Sequence, residues 1–282
     1  MIKLFASDLD GTLFNALHQT DGAILRRLRR VLAAGRHVAL ATGRWSKTGA
    51  ELGFGDLPLE VVCGNGAFVY GAGGELLRSV EIDPATVEEL LRAFPTCCLV
   101  CVSADGTFVR GSREDQLAGY LPPHGLLGRL VSWMARRRGP GADMIFDQTE
   151  ADVLAHPICK VNCRVLDPGL KAELSAFVNE HADTLVNASF DGDLFELTEA
   201  SVNKGEALSW LAGHYGMTED EVAVYGDGGN DIAMLERFDH AYATSDGSDE
   251  AKIAAGNVIG SCALHAVPRH MLATVRREGA LG

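Results

Sequence analysis

Two aspartates, Asp8 and Asp10, follow an apolar run at residues 2–6 of this 282-residue chain. Three more polar groups close other apolar runs: Thr42 with Gly43 after 37–41, Asn65 after 59–63, and Asp227 with Asp231 after 221–225. Runs of this length and bulk fit buried strands. In an open α/β sheet, ligands bind beyond the carboxyl ends of the strands. One sheet edge could therefore gather residues this distant in sequence. Carboxylates gathered there repel one another unless a hard cation joins them, and oxygen donors suit Mg²⁺. Such a cation neutralises phosphate oxygens, and an aspartate can act as nucleophile to form an aspartyl-phosphate. The neighbouring glycines permit tight turns and close backbone approach to a ligand.

The segments between these residues must position them. Ile24, Leu25, Leu28, Val31 and Leu32 fall on one face of a helix over 22–34, which Gly35 stops. Strand, helix and strand alternate through residue 63 and again from 204 to 255, with a helix over 204–215 and a strand at 240–243. This pattern predicts a doubly wound, Rossmann-like parallel α/β sheet. The middle differs. Residues 97–102 and 106–110 read as a hairpin around Asp105-Gly106, and 158–165 alternate as a strand. Residues 113–141 are mixed, with Pro122-Pro123 and the basic run Arg136-Arg137-Arg138. The expectation is a core of residues 1–82 and 190–282 with an α+β cap, 83–189, inserted into it.

Composition narrows the function classes. The chain carries 25 basic and 38 acidic residues, a net charge of −13, with 47% hydrophobic residues. That apolar content argues for a folded core. The acidic balance argues against a nucleic-acid surface, which needs clustered Lys and Arg. No stretch approaches the ~20 apolar residues of a membrane span, and Met1–Ala6 is too short for a secretory signal. The chain reads as cytoplasmic, and its seven cysteines read as reduced thiols, not a disulfide framework. Cys98 and Cys101, with Cys159 and Cys163, have metal-ligand spacing but lie on strand patterns, where cysteine acts as a small buried hydrophobe. Lys160, Asn162 and Arg164 share one face of their strand, either solvated or turned to a substrate. Phosphate-loop, dinucleotide, nucleophile-elbow and H-E-x-x-H patterns are all missing from the sequence.

Taken together, Asp8-Leu9-Asp10-Gly11-Thr12-Leu13, Thr42-Gly43-Arg44, Lys204 in Asn203-Lys204-Gly205, and Gly226-Asp227-Gly228-Gly229-Asn230-Asp231 resemble the four ordered motifs of the haloacid dehalogenase-like hydrolases. Those hydrolases are mostly phosphatases. Val62-Cys63-Gly64-Asn65-Gly66-Ala67, a hairpin-like Phe68–Val80 and a cap between the second and third motifs resemble the Cof-type (class IIB) branch.

The resemblance implies a role for each matching residue. Asp8 attacks phosphorus, and Asp10 protonates the leaving oxygen and then activates water. Thr42, Gly43 and Arg44 meet the phosphoryl group, while Lys204 steadies Asp8 and the phosphate. Mg²⁺ is held by the Asp8 carboxylate, the Asp10 carbonyl and Asp227, with Asn230 and Asp231 as accessory ligands. Asn65 and the cap residues Lys160, Asn162 and Arg164 are candidate substrate contacts. The implied partner is a small phosphorylated metabolite such as a sugar phosphate, bound by a monomer or weak dimer. A phosphomutase or phosphotransferase using the same aspartyl-phosphate, and a non-catalytic phosphometabolite sensor, are the alternatives. Near the end, Gly260–Val267 departs from the family pattern, and no site residue is expected there.

Overall fold

A computed structural model describes residues 1–120, 144–189 and 192–281. Pro122-Pro123 and the basic run Arg136–Arg138 lie outside the described residues. The chain forms two compact units, Met1–Ser79 with Val202–Gly282, and Val80–Ser201.

The first unit begins with β1 (Leu4–Ser7), α1 (Gly22–Ala33), β2 (His37–Ala41), β3 (Glu60–Cys63), β4 (Phe68–Tyr70) and β5 (Leu76–Ser79). Helix α1 starts where the Asp21 carboxylate accepts the Ala23 and Ile24 amides, satisfying donors that the first turn leaves orphaned. It buries Ile24, Leu28 and Val31 and is followed by Gly35 at φ 79°.

The second unit contains α2 (Pro84–Ala93), β6 (Leu99–Ser103), β7 (Gly106–Arg110), α3 (Arg113–Tyr120), β8 (Met144–Ile145), α4 (Glu150–Leu154), β9 (Lys160–Arg164), α5 (Pro168–Glu180), β10 (Leu185–Asn187) and β11 (Leu194–Glu199). Its sheet runs β10-β11-β9-β6-β7-β8, antiparallel except for the β7–β8 pair. Val161, Cys163, Phe195 and Leu197 on one face pack with Val87, Leu90 and Leu91 of α2 and Leu174 and Phe177 of α5. Because β11 pairs with β9 and β10, the second crossing falls after Ser201, later than the 189/190 junction expected from sequence.

The first unit resumes with α6 (Lys204–His214), β12 (Val222–Gly226), α7 (Ile232–Arg237), β13 (His240–Ala243), α8 (Asp249–Ala255) and α9 (Ala266–Glu278). Its sheet has the order β13-β12-β1-β2-β3-β4-β5. The first five strands are parallel, and β4 and β5 return antiparallel. Leu4, Ala6, Ala39 and Ala41 pack against Ala207, Leu208 and Leu211 of α6. Phe5, Leu40 and Tyr225 are fully buried on the other face, where the Tyr225 hydroxyl meets His270 of α9 at 2.9 Å. Helices thus cover both faces, as a doubly wound sheet requires. Truncating a fully buried leucine such as Leu208 costs ~2–5 kcal/mol.

Strand β1 lies between β2 and β12, so the winding reverses there. The pairing Ser7↔Tyr225 and Ser7↔Leu40 levels the strand ends. Asp8, Thr42 and Asp227 therefore emerge at one edge, where such sheets bind ligands.

Candidate active site

Asp8 is the first residue beyond β1 and is buried. Its Oδ1 accepts a hydrogen bond from Lys204 Nζ at 2.7 Å. Lys204 opens α6 because the Asn203 side chain caps that helix, accepting the Glu206 amide at 2.9 Å. The fully buried ammonium also donates to Asp231 Oδ1 at 2.7 Å. Asp231 Oδ2 in turn accepts the amides of Asp227 and Gly228 at 2.9 and 3.0 Å, which locks the loop after β12. Thr12 Oγ1 donates to Asp227 Oδ1 at 2.7 Å.

One ammonium thus faces three carboxylates in a poorly hydrated place. Burial pushes the Asp8 carboxyl up to about 8, against the opposing pull of Lys204. Burial also raises Asp227, although Thr12 pulls the other way. Burial by itself would lower Lys204, but the charges of Asp231 and Asp8 override it and hold the ammonium above its ordinary range. Oxygen atoms of Asp8, Asp227 and Asp231 lie within 4.8 Å of one another. An excess of buried negative charge on hard oxygen donors fits a divalent cation such as Mg²⁺. The chain supplies no second cationic side chain in direct contact with this trio among the described residues.

The turn after Asp8 explains the Asp-x-Asp-Gly-Thr spacing. Amides of Leu13 and Phe14 reach back to the carbonyls of Asp8 and Leu9 at 3.2 and 2.9 Å. Gly11 sits at φ +80°, and a Cβ there would lie 2.3 Å from Asp227 Oδ2. Only glycine allows both that backbone and the approach of Asp227. The turn directs the Asp10 carboxylate elsewhere. Arg44 grips it with two bonds, Nε to Oδ2 at 2.8 Å and Nη2 to Oδ1 at 2.7 Å. His18 Nδ1 lies 3.1 Å from the same Oδ1. The carboxylate of Asp10 is therefore outside the Asp8–Asp227–Asp231 trio, and the Arg44 guanidinium holds Asp10.

The ends of β2 and β3 form the neighbouring part of the edge. The Thr42 hydroxyl accepts the Arg44 amide at 3.1 Å, and the Asn65 amide donates to the Thr42 carbonyl at 3.1 Å. Asn65 has φ 58°, so it does serve a left-handed turn. Its side chain is also at the edge: Asn230 Nδ2 donates to Asn65 Oδ1 at 3.2 Å. A Cβ on Gly43 would stand 2.9 Å from the same oxygen. Asn230 therefore directs its amide toward Asn65.

In the second unit, β9 presents Lys160 and Asn162 on the face opposite Val161 and Cys163. Lys160 is buried, and its Nζ meets Glu196 Oε1 of β11 at 2.5 Å. Asn162 Oδ1 and Thr198 Oγ1 are buried with no hydrogen-bond partner among the described residues. Arg164 is half-buried at the far end of the same strand. Sequence reasoning missed Glu196 and Thr198, which only strand register brings opposite Asn162 and Lys160. It also missed His18, which no local pattern marks, and the bond from Thr12, a residue already inside the first motif. The atypical segment 260–267 serves the helical layer: His265 Nε2 meets Asp21 Oδ2 at 2.7 Å, and α9 starts at Ala266.

Comparison with known proteins agrees with this arrangement. The model of the haloacid dehalogenase-like hydrolases matches residues 5–271. An HMP-PP phosphatase of Cronobacter sakazakii is 26% identical over 277 residues, covering 96% of this chain and 95% of that protein. One from Citrobacter koseri is 27% identical over 272 residues, 95% and 93% of the two chains. Among solved structures, a haloacid dehalogenase-like hydrolase from B. subtilis superposes with a TM-score of 0.78 at 22% identity, covering 96% of this chain and 99% of that one. A HAD subclass IIB sugar phosphatase superposes at 0.71 with 17% identity, covering 96% and 98%. No helix among the described residues is long and apolar enough to cross a membrane. With motifs, sheet edge and relatives in agreement, the chain belongs to the haloacid dehalogenase-like hydrolases and is a phosphatase of that family.

Proposed function

We propose that this phosphatase hydrolyses small phosphate monoesters with Mg²⁺, through an aspartyl-phosphate on Asp8. The observation that carries the proposal is the buried Asp8–Lys204–Asp231 chain beside Asp227. The Asp8 carboxylate attacks phosphorus as the ester P–O bond breaks. Asp10 gives a proton to the leaving oxygen. Asp10 then takes a proton from water, whose oxygen attacks phosphorus, frees the Asp8 carboxylate and releases inorganic phosphate. Lys204 holds Asp8 in place and offers positive charge to the phosphoryl oxygens. Arg44 and His18 fix the orientation of the Asp10 carboxyl. Thr42, the Gly43 backbone and Asn65 line the phosphoryl side.

Asp8 and Asp227, with the Asp10 carbonyl, would hold Mg²⁺, and Asp231 and Asn230 would steady that set. The ion would neutralise phosphate oxygens and keep Asp8 ionised despite its burial. The relatives are named for HMP-PP and for sugar phosphates, which supports a small phosphorylated metabolite as substrate. Lys160, Asn162 and Arg164 of the cap are assigned to substrate recognition, and the cytoplasm is the proposed location.

Phosphate release from a panel of sugar phosphates, nucleotides, flavin mononucleotide and pyridoxal phosphate tests this reading. Release that needs Mg²⁺, stops with chelator and is lost in Asp8→Asn is the expected result. An isomerised phosphosugar without free phosphate would overturn hydrolysis in favour of phosphoryl transfer.

A further inference from the structure

We infer that the first unit carries a second anion site, a groove between α1 and α9 that takes a compact phosphoanhydride chain. The groove is a cavity of about 420 Å³. Arg26, Arg27 and Arg30 line it from α1, and Arg269 and Arg276 from α9, around the apolar floor of Leu272. No carboxylate lines it among the described residues. Its residues are separate from the catalytic edge.

The placement of these arginines costs the fold energy. Arg26 and Arg30 are four apart on one helix, as like charges that repel. Arg269 lies in the first turn of α9, the end of a helix dipole that disfavours cations. Only Arg30 and Arg276 stand in last turns, where the dipole favours them. Among the described residues, none of the five forms an ion pair. Arg29, on another face of α1, does pair with Asp56, at 3.6 Å. No carboxylate among the described residues pairs with any of the five to relieve their repulsion, and a multiply charged anion would relieve it.

The chemistry selects the anion. Guanidinium forks match phosphate oxygens in bidentate fashion. The seven-residue span from Arg269 to Arg276 covers roughly 10 Å of helix, enough for a few linked phosphates. The lining holds no aromatic ring on which a base could stack, and the chain as a whole is at −13. Both facts favour a small polyphosphate over a nucleic acid. Inorganic tripolyphosphate and the triphosphate of a nucleotide share this chemistry.

Calorimetric titration of the full chain with tripolyphosphate, in chelator so that nothing turns over, tests the site. Expected is one bound equivalent, with an affinity at least about tenfold weaker in Arg26→Ala/Arg30→Ala/Arg276→Ala. Arg29→Ala should bind like the wild type. Circular dichroism and retained phosphatase activity check that the triple variant is folded. ATP displacing tripolyphosphate assigns the groove to nucleotide triphosphates, and failure to displace assigns it to inorganic polyphosphate. No binding, or equal binding by the triple variant, overturns the proposal. So does tighter, arginine-dependent binding of a single-stranded oligonucleotide. Because the catalytic aspartates are untouched throughout, failure here leaves the phosphatase reading standing, and loss of that reading leaves this one.

Discussion

The catalytic edge of the first unit and the polar sheet face of the second both bury a lysine, but they treat its neighbourhood in opposite ways. Lys204 donates to two carboxylates, and the second of these is itself bonded by two backbone amides. Lys160 meets Glu196, while Asn162 Oδ1 and Thr198 Oγ1 beside that pair are buried without partners among the described residues. A buried acceptor left unpaired costs ~1–3 kcal/mol. The first region is therefore fixed by its own hydrogen bonds. The second retains unused hydrogen-bonding capacity of the kind a ligand hydroxyl would satisfy. The difference fits the proposed division of labour, in which fixed charge at the edge serves the chemistry and the polar face of the second sheet serves selectivity.

The strongest challenge to this contrast is Lys204→Met. It leaves Asp8 and Asp231 buried without their counter-charge, an arrangement that costs ~3–5 kcal/mol when a buried pair is broken. Phosphate release should fall by ~10³-fold, and chemical denaturation should show the lost stability. If activity survived within tenfold, the edge would not depend on this ammonium. Next in size is Gly11→Ala. Its Cβ would press on the Asp227 carboxylate in a backbone of positive φ, a strain worth ~1–3 kcal/mol. A fall in kcat of about a hundredfold, with weakened Mg²⁺ dependence, would place the damage at the edge itself.

The contrast also explains what the amino-acid sequence makes legible by itself. Asp8, Asp10, Thr42 and Asp227 are legible as polar residues at the ends of apolar runs, whereas Lys204 stands out only through the resemblance of its motif. Asp231 was visible as a motif residue, but its bonds to Asp227 and Gly228 come from the turn geometry. The bidentate bond from Arg44 to Asp10 is not legible in the sequence, because it depends on the turn at Gly11 that brings Asp10 within reach. On the cap, Lys160 and Asn162 could be put on one strand face, but Glu196 and Thr198 could not be put opposite them. That pairing depends on the register of β9 with β11, over thirty residues away in sequence. The same strand moved the domain junction, since Phe195 and Leu197 form too short an alternation to reveal its sheet.

A third, smaller effect concerns pH and sharpens the view of the edge as a cluster of buried charge. In chelator the folded Asp8 carboxyl is raised to about 8 from 3.8. A raised folded value means the native state binds the proton more tightly than the unfolded one. The associated stability is present below pH ~4 and is lost as pH rises through about 8. Asp8→Asn cannot ionise, so this slope should vanish. Above pH 8 without metal, the variant should melt a few degrees above the wild type, since about 1 kcal/mol shifts a domain of this size by ~2–4 °C. Melting curves between pH 5 and 9 would show it. Saturating Mg²⁺ should erase the advantage, and a variant less stable than wild type at every pH would contradict the account.

The smallest expected change in stability comes from the cap, and it separates the two regions most cleanly. Asn162→Leu removes a buried acceptor that has no partner among the described residues, so folding should be unchanged or favoured by up to ~1 kcal/mol. If that oxygen serves substrate, KM should rise about tenfold while kcat stays within a few-fold, because a lost contact common to ground and transition states weakens binding alone. The chemistry at Asp8 would proceed as before once substrate is bound. An equal fall in kcat would instead make Asn162 part of the transition-state machinery and dissolve the division between edge and cap. Unchanged KM across the whole substrate panel would leave its buried oxygen as a cost to folding with no return in binding. Steady-state kinetics on the preferred substrate, read beside the melting curve of the same variant, distinguishes the three outcomes.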